Sequence, residues 1–491
     1  MKSILKLFFI GLLMLQLGCQ EEFLDKGLLG ELEETNFMQN ESDAILATNA
    51  IYNTLRDWRY LGGFPFLDIL SDQSRKGSNP SDGIQIQAFE DFTFTPSDAP
   101  ISGWYSTLYL AIKRTNIVIE RAPDIEMDEN LKQRLIGEAK FIRAFTYFKL
   151  VRGFGGVSLI TSTTPERIVP RSTVEAVYEL IIDDLLNAIE NLPERSDYPP
   201  EDLGRATRGA AKGILAKVYL FRNDFSNAAK LSLEVINSGE YSLDPDFENV
   251  FSKDGEFGSG SIFEFGGRPE GFAEGGLQYG NTQGVRSNPN RGWGFNRPSW
   301  ALLESFEEGD PRREGTVIFL NEILDNVQIG GDDATPDTTF DSNGNILEIE
   351  CYNQKVWVPG TGPLESWDAN YRALRLADVL LIAAESLNET NDPSSALIYL
   401  NQVRARARGN NNSILPDITE TDKNALREII LKERNAELAL EQHRFFDLIR
   451  TGKAAEVLGS LGFQSNKHEL LPIPQSEIDL SEGALSQNPG W

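Results

Sequence analysis

Cysteine and histidine are nearly missing from this chain. Its 491 residues hold two cysteines, Cys19 and Cys351, and two histidines, His443 and His468. Histidines so few and so far apart exclude a zinc-type ligand cluster. With Cys19 committed to another role (below), Cys351 is alone and no intramolecular disulfide framework is possible. Positive charge is also scarce: 46 Lys and Arg stand against 74 Asp and Glu, a net charge of −28. That excludes the basic footprint of a nucleic-acid-binding surface and suits solubility outside a cell. The most apolar stretch, Leu7–Leu17, falls short of the roughly 20 residues a membrane-spanning helix needs. No G-x-S-x-G, H-E-x-x-H or Walker A pattern occurs. The sequence therefore offers none of these nucleophile, zinc or phosphate-binding motifs, and its stability must come from packing a large core.

What is present begins at the N-terminus. Lys2 and Lys6 precede the apolar Leu7–Leu17, and Gly18-Cys19 follows. A short basic region, an apolar core and a small residue make an export signal. Gly-Cys at its end predicts a lipoprotein, with Cys19 carrying the acyl chains, palmitate among them, and residues 1–18 removed. Gln16 departs from the leucine usual in such a lipobox. Gln20, Glu21 and Glu22 then resemble the acidic tag of lipoproteins sent to the outer face of the outer membrane. Residues 19–35 form the anchor and tether, and two or more acyl chains hold stably where one is marginal. Removing the leader takes the net charge to about −30.

Residues 36–491 read as one mainly α domain. Its N-terminal half runs to about 250, a loop-rich insertion covers about 255–370, and a helical half covers 371–491. Between Gly204 and Ser238, Ala211, Leu215 and Val218 recur at helical spacing. Arg222-Asn223-Asp224 breaks the run, and Phe225, Ala228, Leu231 and Val235 resume it, up to Gly239. This resembles a tetratricopeptide helix pair. Leu374–Asn388 with Ser394–Ala407 repeats the theme. Trp104–Arg121, Leu131–Val151, Thr173–Asn191, Lys423–Leu440 and Gln442–Arg450 complete a superhelical array. Asn343-Gly344 between Phe340 and Ile346 predicts a hairpin inside the insertion. The acidic run from Asp332 to Asn345 lacks EF-hand spacing and reads as a solvated turn rather than a calcium loop.

Several blocks, in order, resemble the SusD/RagB family of nutrient-binding outer-membrane lipoproteins. Trp104-Tyr105-x₃-Tyr109-x₆-Asn116 is one. Gly137–Tyr147 running into Gly153-Phe154-Gly155-Gly156 is another. Asp310-Pro311-Arg312-Arg313, Arg375–Leu381 with Ala384-Glu385, and Arg404-x-Arg406 follow. Glu433-Arg434-x₂-Glu437, Arg444–Leu448, Leu471–Pro474 and the closing Asn488–Trp491 complete the set. The resemblance implies a tetratricopeptide-like scaffold with short β hairpins. It also implies a non-enzymatic role: capture of an oligosaccharide or polysaccharide, or in some members a peptide, and delivery to a SusC-type TonB-dependent transporter. A glycoside hydrolase is the competing class, since two carboxylates about 5–10 Å apart are easily found among 74 acidic residues.

Arg143, Glu385, Arg404, Arg434, Glu437 and Asp447 lie on helical segments and read as ion pairs between helices. Ligand contacts belong in the loops. Aromatic faces suit the C–H faces of sugars, and polar side chains suit their hydroxyls. The first loop region offers Trp58, Tyr60, Asp72, Arg75 and Asn79, and the insertion offers Tyr279 and Trp293. Trp367 stands before the Arg375 helix. The resemblance places Arg75 near a sugar-contacting arginine of starch-binding relatives. Ser78–Gln87 lacks the tryptophans those relatives carry, which argues against starch-like stacking.

Overall fold

A computed structural model describes residues 38–267, 278–358 and 369–491. Among the described residues, nine long helices carry the architecture: α1 (Glu41–Leu55), α2 (Ala99–Arg121), α3 (Glu129–Phe154), α4 (Val174–Asn191), α5 (Arg208–Phe221), α6 (Phe225–Ile236), α7 (Leu376–Glu389), α8 (Pro393–Arg408) and α9 (Lys423–Glu437). Most start where the sequence supplies a cap. The side chains of Asn40, Asp128, Thr173, Thr207, Asp224, Asp392 and Asp422 each accept a backbone N–H of the helix they open. Pro393 adds a first-turn proline to α8.

Consecutive helices pack as antiparallel neighbours from α2 to α6, and α6 packs on α7, which packs on α8 and α9. The helical stack thus continues across the long excursion between α6 and α7. Two antiparallel strands close that excursion: β1 (Ser261–Gly266) pairs with β2 (Asn370–Arg375) at its two ends. The fold is mainly α and tetratricopeptide-like, with only short strand pairs. One large hydrophobic cluster reaches from Met38 to Ile473, so both halves share a core. Among the described residues no helix is long and apolar enough to cross a membrane.

The charged residues of the family blocks join helices. Arg143 of α3 meets Asp184 of α4 through two hydrogen bonds of 2.7 and 2.8 Å. Arg434 of α9 meets Asp378 of α7 at 2.9 Å and Asp447 at 3.0 Å. Arg404 of α8 meets Glu433 of α9 at 2.8 Å, and Arg450 meets Glu385 of α7. Glu437 of α9 takes Arg375, Arg312 and Arg406 together.

Two sequence expectations change. The helix from Lys423 ends at Glu437, because Leu440 and Gln442 adopt positive φ of 60° and 63°. The chain turns there so that Leu440 N–H reaches Gln73 Oε1 at 3.2 Å and Gln442 N–H reaches Asp68 at 2.7 Å. The Trp104 helix starts earlier, at Ala99, with Pro100 in its first turn. The predicted hairpin is present, Phe340 opposite Ile346. Gly344 has φ +85°, and the Asp341 carboxylate accepts the N–H groups of Asn343 and Asn345. Asp341 thus shapes its own turn, and Asp332 pairs with Arg286 at 2.6 Å. Cys351 is buried and free.

Candidate functional site

Three segments meet at one face, two close together in sequence and the third more than two hundred residues further on. The first is a tight turn. Asp57 caps it by accepting Arg59 N–H at 2.9 Å, Trp58–Leu61 forms one 3₁₀ turn, and Gly62 and Gly63 have φ of +95° and +73°. A Cβ on Gly63 would stand 3.2 Å from the Trp58 ring. Glycine there serves two needs, the left-handed backbone and room for the indole. Phe64 follows, its ring edge-on to Trp58 with centroids 5.5 Å apart.

The second and third segments are held as a pair. Strand β3 (Ser74–Gly77) is antiparallel to β4 (Phe295–Pro298), with Gly77 opposite Phe295. Ser78 N–H continues the ladder to Gly294 O at 2.6 Å, and a Cβ on Gly77 would lie 2.4 Å from that same oxygen. This pairing brings Phe295 edge-on to Phe64 at 4.8 Å and Trp293 to 6.3 Å from Phe64. Trp58 and Trp293, both chosen from sequence, are therefore linked through Phe64. All three rings are half-buried, whereas Phe295 beneath them is buried. Offset and edge-on ring pairs of this kind are favourable beyond their buried area.

A polar rim adjoins the rings. Arg286 donates to Ser78 Oγ at 2.8 Å, pairs with Asp82, and pairs with Asp332 at 2.6 Å. Lys76 Nζ donates to the carbonyls of Asn79 and Asp82, each at 3.0 Å, and lies 5.8 Å from the Phe295 ring. Burial lowers its ammonium, with the Glu90 and Asp82 carboxylates opposing. Asn79 is half-buried at the rim, and its side-chain oxygen accepts Ser81 N–H and Oγ–H at 3.0 and 2.9 Å. Of the carboxylates near this rim, Asp82 and Asp332 are both engaged by Arg286, and Glu90 accepts Lys76 N–H. The arrangement can stack and hydrogen-bond a ligand.

Four other predicted contacts lie elsewhere. Tyr60 is completely buried, its hydroxyl 2.9 Å from Thr146 Oγ1 and its carbonyl accepting Trp104 Nε1–H at 3.2 Å. It sits two residues after Trp58 in the 3₁₀ turn and faces the core. Tyr279 is buried as well, donating to Leu440 O at 3.3 Å and stacked edge-on against Tyr371 at 5.0 Å. Asp72 gives both carboxylate oxygens to Arg444, at 2.8 and 2.9 Å. Arg75 is half-buried and reaches Glu90 at 3.8 Å, away from the ring cluster. Trp367 and Cys19 lie outside the described residues. Sequence reasoning missed Phe64 and Arg286. Phe64 stands in a run, Leu61–Phe66, that reads as core. The Gly62-Gly63 pair beside it is the signal that its chain turns at the surface.

The chain and its fold match known proteins. The SusD family model matches residues 260–491, and the model described as "Starch-binding associating with outer membrane" matches residues 66–220. SusD-like protein P2 of Formosa agariphila is 30% identical, over 99% of both chains. A SusD-like protein of Bacteroides ovatus is 28% identical, over 88% of this chain and 79% of that one. Among solved structures, a "Laminarin binding SusD-like protein" is 31% identical with a TM-score of 0.77, covering 92% of this chain and all of that one. A SusD homolog from Bacteroides thetaiotaomicron is 26% identical with a TM-score of 0.80, covering 94% and 99%. The chain belongs to the SusD family. By their printed descriptions, one of these solved relatives binds laminarin and one matching family is starch-binding and associates with the outer membrane.

Proposed function

We propose that this protein is a cell-surface glycan receptor that captures an oligosaccharide or polysaccharide on the Trp58–Phe64–Trp293 face and passes it to a SusC-type TonB-dependent transporter. The observation that carries the reading is the row of three half-exposed rings beside the Arg286, Asp82 and Ser78 rim. Ring faces take the C–H faces of a sugar and the rim takes its hydroxyls. The relative named as laminarin-binding, at 31% identity, makes a laminarin-type glucan the first ligand to test. The missing aromatics of Ser78–Gln87 argue against starch in the manner of starch-binding relatives. In the same reading residues 1–18 are a cleaved signal, Cys19 is acylated, and the domain from residue 36 stands outside the outer membrane without catalysing any reaction.

Calorimetric titration of the purified protein with laminarin and starch oligosaccharides tests the ligand. Binding of the first, weakened by Trp58→Ala and Trp293→Ala, is expected. Binding that survives both substitutions unchanged removes the face from the proposal, and release of shorter sugars from the bound glycan removes the non-enzymatic reading. Extraction from outer membranes in mild detergent tests the partner: a large β-barrel protein is expected to co-purify.

A further inference from the structure

A second feature lies in the core, away from the ring cluster. A narrow, partly open cavity of about 30 Å³ lies between α3, α5 and the 441–446 segment, lined among others by Lys149, Arg152, Lys217, Glu441, Gln442 and His443. Its charges do not balance. Lys217 is paired with Asp378 at 2.8 Å and also hydrogen-bonds His443 Nδ1 at 3.0 Å. Glu441, the lining carboxylate, is already taken by Arg375 at 2.8 Å and Lys355 at 2.7 Å. Lys149 is only 5% exposed, and its ammonium faces the rings of Phe145 and Tyr60 at 5.1 and 5.5 Å with no acceptor or carboxylate in contact. Arg152 gives Nε–H to Phe148 O at 3.1 Å and stacks on Phe148, Phe446 and Phe221 at 4.2, 4.6 and 5.3 Å, again with no carboxylate in contact. Gln442 Oε1 is a buried acceptor with no donor.

A buried ammonium, Lys149, and a half-buried guanidinium, Arg152, neither with a carboxylate in contact among the described residues, are costly where water is largely excluded, and ring faces offset only part of that cost. Moving Lys149 closer to Arg152 or Lys217 would only add repulsion, and both already depress its ammonium, after burial itself. What the site lacks is a compact negative charge that accepts from Lys149 and Arg152. A water needs roughly 10–15 Å³, so the cavity has room for one small anion and an accompanying water, which would donate to Gln442 Oε1. It is too small for an organic carboxylate with its carbon skeleton. We infer that this cavity binds a single monovalent inorganic anion of the chloride class between Lys149 and Arg152. The ion is a structural ligand that neutralises the core where α3 meets the C-terminal helices.

The test uses bromide as an anomalous marker and thermal melting as the solution readout. Crystals grown with bromide in place of chloride are expected to show one anomalous peak in this cavity, in contact with Lys149 Nζ. Melting in sodium chloride, against sodium gluconate at the same ionic strength, is expected to rise by about 1–2 °C, and the rise should vanish in Lys149→Met. An empty or water-filled cavity, with Lys149 neutral, overturns the inference. So does a peak without any chloride-dependent melting, or an equal chloride response in wild type and Lys149→Met, which would be surface screening. If Lys149→Met does not fold, the bromide map and the wild-type melts decide.

Discussion

Glu437→Gln isolates the largest electrostatic node of the scaffold. Glu437 is completely buried and accepts Arg406 at 2.5 Å, Arg375 at 3.0 Å and Arg312 at 3.3 Å. Desolvation alone would raise its carboxyl, but the summed attraction of Arg406, Arg375 and Arg312 outweighs it and holds the group far below the usual range. Glutamine preserves shape and removes the charge. Arg312 keeps Asp310 and Glu433, and Arg375 keeps Glu441. Arg406 makes its ion pair with Glu437, and its Nε already lacks a hydrogen-bond partner. One buried guanidinium is therefore left uncompensated, which costs about 3–5 kcal/mol when one partner of a buried pair is removed. Against a total stability of about 5–15 kcal/mol, that is a large fraction. Urea unfolding followed by circular dichroism measures it. Adding Arg406→Met to Glu437→Gln should recover part of the loss, because the orphaned cation goes with it. A loss under about 1 kcal/mol, or no recovery in the double variant, refutes the electrostatic reasoning.

Other expectations follow from the same contacts. Stability should fall in acid. Asp378, Glu437 and Asp447 are each depressed, burial opposing but the Lys and Arg partners prevailing. Their contribution is complete above the unfolded values of 4.5 for Glu and 3.8 for Asp and is lost as pH falls below them; flat melting temperatures from pH 6 to pH 3 would contradict this. At the ring face, Trp58→Ala and Trp293→Ala should each weaken glycan binding by about 1–3 kcal/mol, roughly tenfold to a hundredfold, with unchanged unfolding. Arg75→Ala should weaken it less, because its guanidinium is directed to Glu90; an equal or larger loss in titration would return Arg75 to the site. Gly63→Ala forces a Cβ into positive φ and against the indole, costing about 1–2 kcal/mol of stability and weakening binding through the displaced Trp58. A variant as tight and as stable as wild type would show that the turn does not position that ring.

The scaffold was legible because its signals are local. Caps such as Thr207 and Asp224, the 3.6-residue recurrence through Ala211, Leu215 and Val218, and the stop at Gly239 act within one or two turns. The hairpin at Asn343-Gly344 is local in the same way. The site was legible only in part. Trp58 and Trp293 stand out by residue type among glycines, and the Gly62-Gly63 turn is a local signal that Phe64 lies beside Trp58, but nothing near Trp293 in sequence announces that Phe64 meets it. That second contact accompanies the pairing of β3 with β4 across more than two hundred residues. Tyr60 shows the opposite failure. It is two positions from Trp58 in a 3₁₀ turn, where alternate residues point to different sides, and composition does not say which side is core. Asp72 failed for a third reason: its partner, Arg444, lies in the other half of the chain.

The partner of Asp72 shows how the ring face is held still. Asp68, Asp72 and Gln73 all precede β3. Each is spent on the C-terminal half. Asp68 accepts Gln442 N–H at 2.7 Å, Asp72 clasps Arg444, and Gln73 Nε2–H donates to the carbonyl and side-chain oxygens of Asn435 at 3.1 and 2.9 Å. Burial pushes the Asp68 carboxyl up to about 7, the Gln442 and Asn296 donors opposing, so its chemistry is directed inward. The strand that carries Gly77 and Ser78 is thereby tied to the end of α9, and through β4 it fixes the backbone of Gly294, next to Trp293. Trp58 is fixed independently by the glycine turn. Rings held from two directions lose little freedom when a sugar docks, and binding energy is not consumed in ordering them. Asp68, Asp72 and Gln73 therefore serve to aim the aromatic residues.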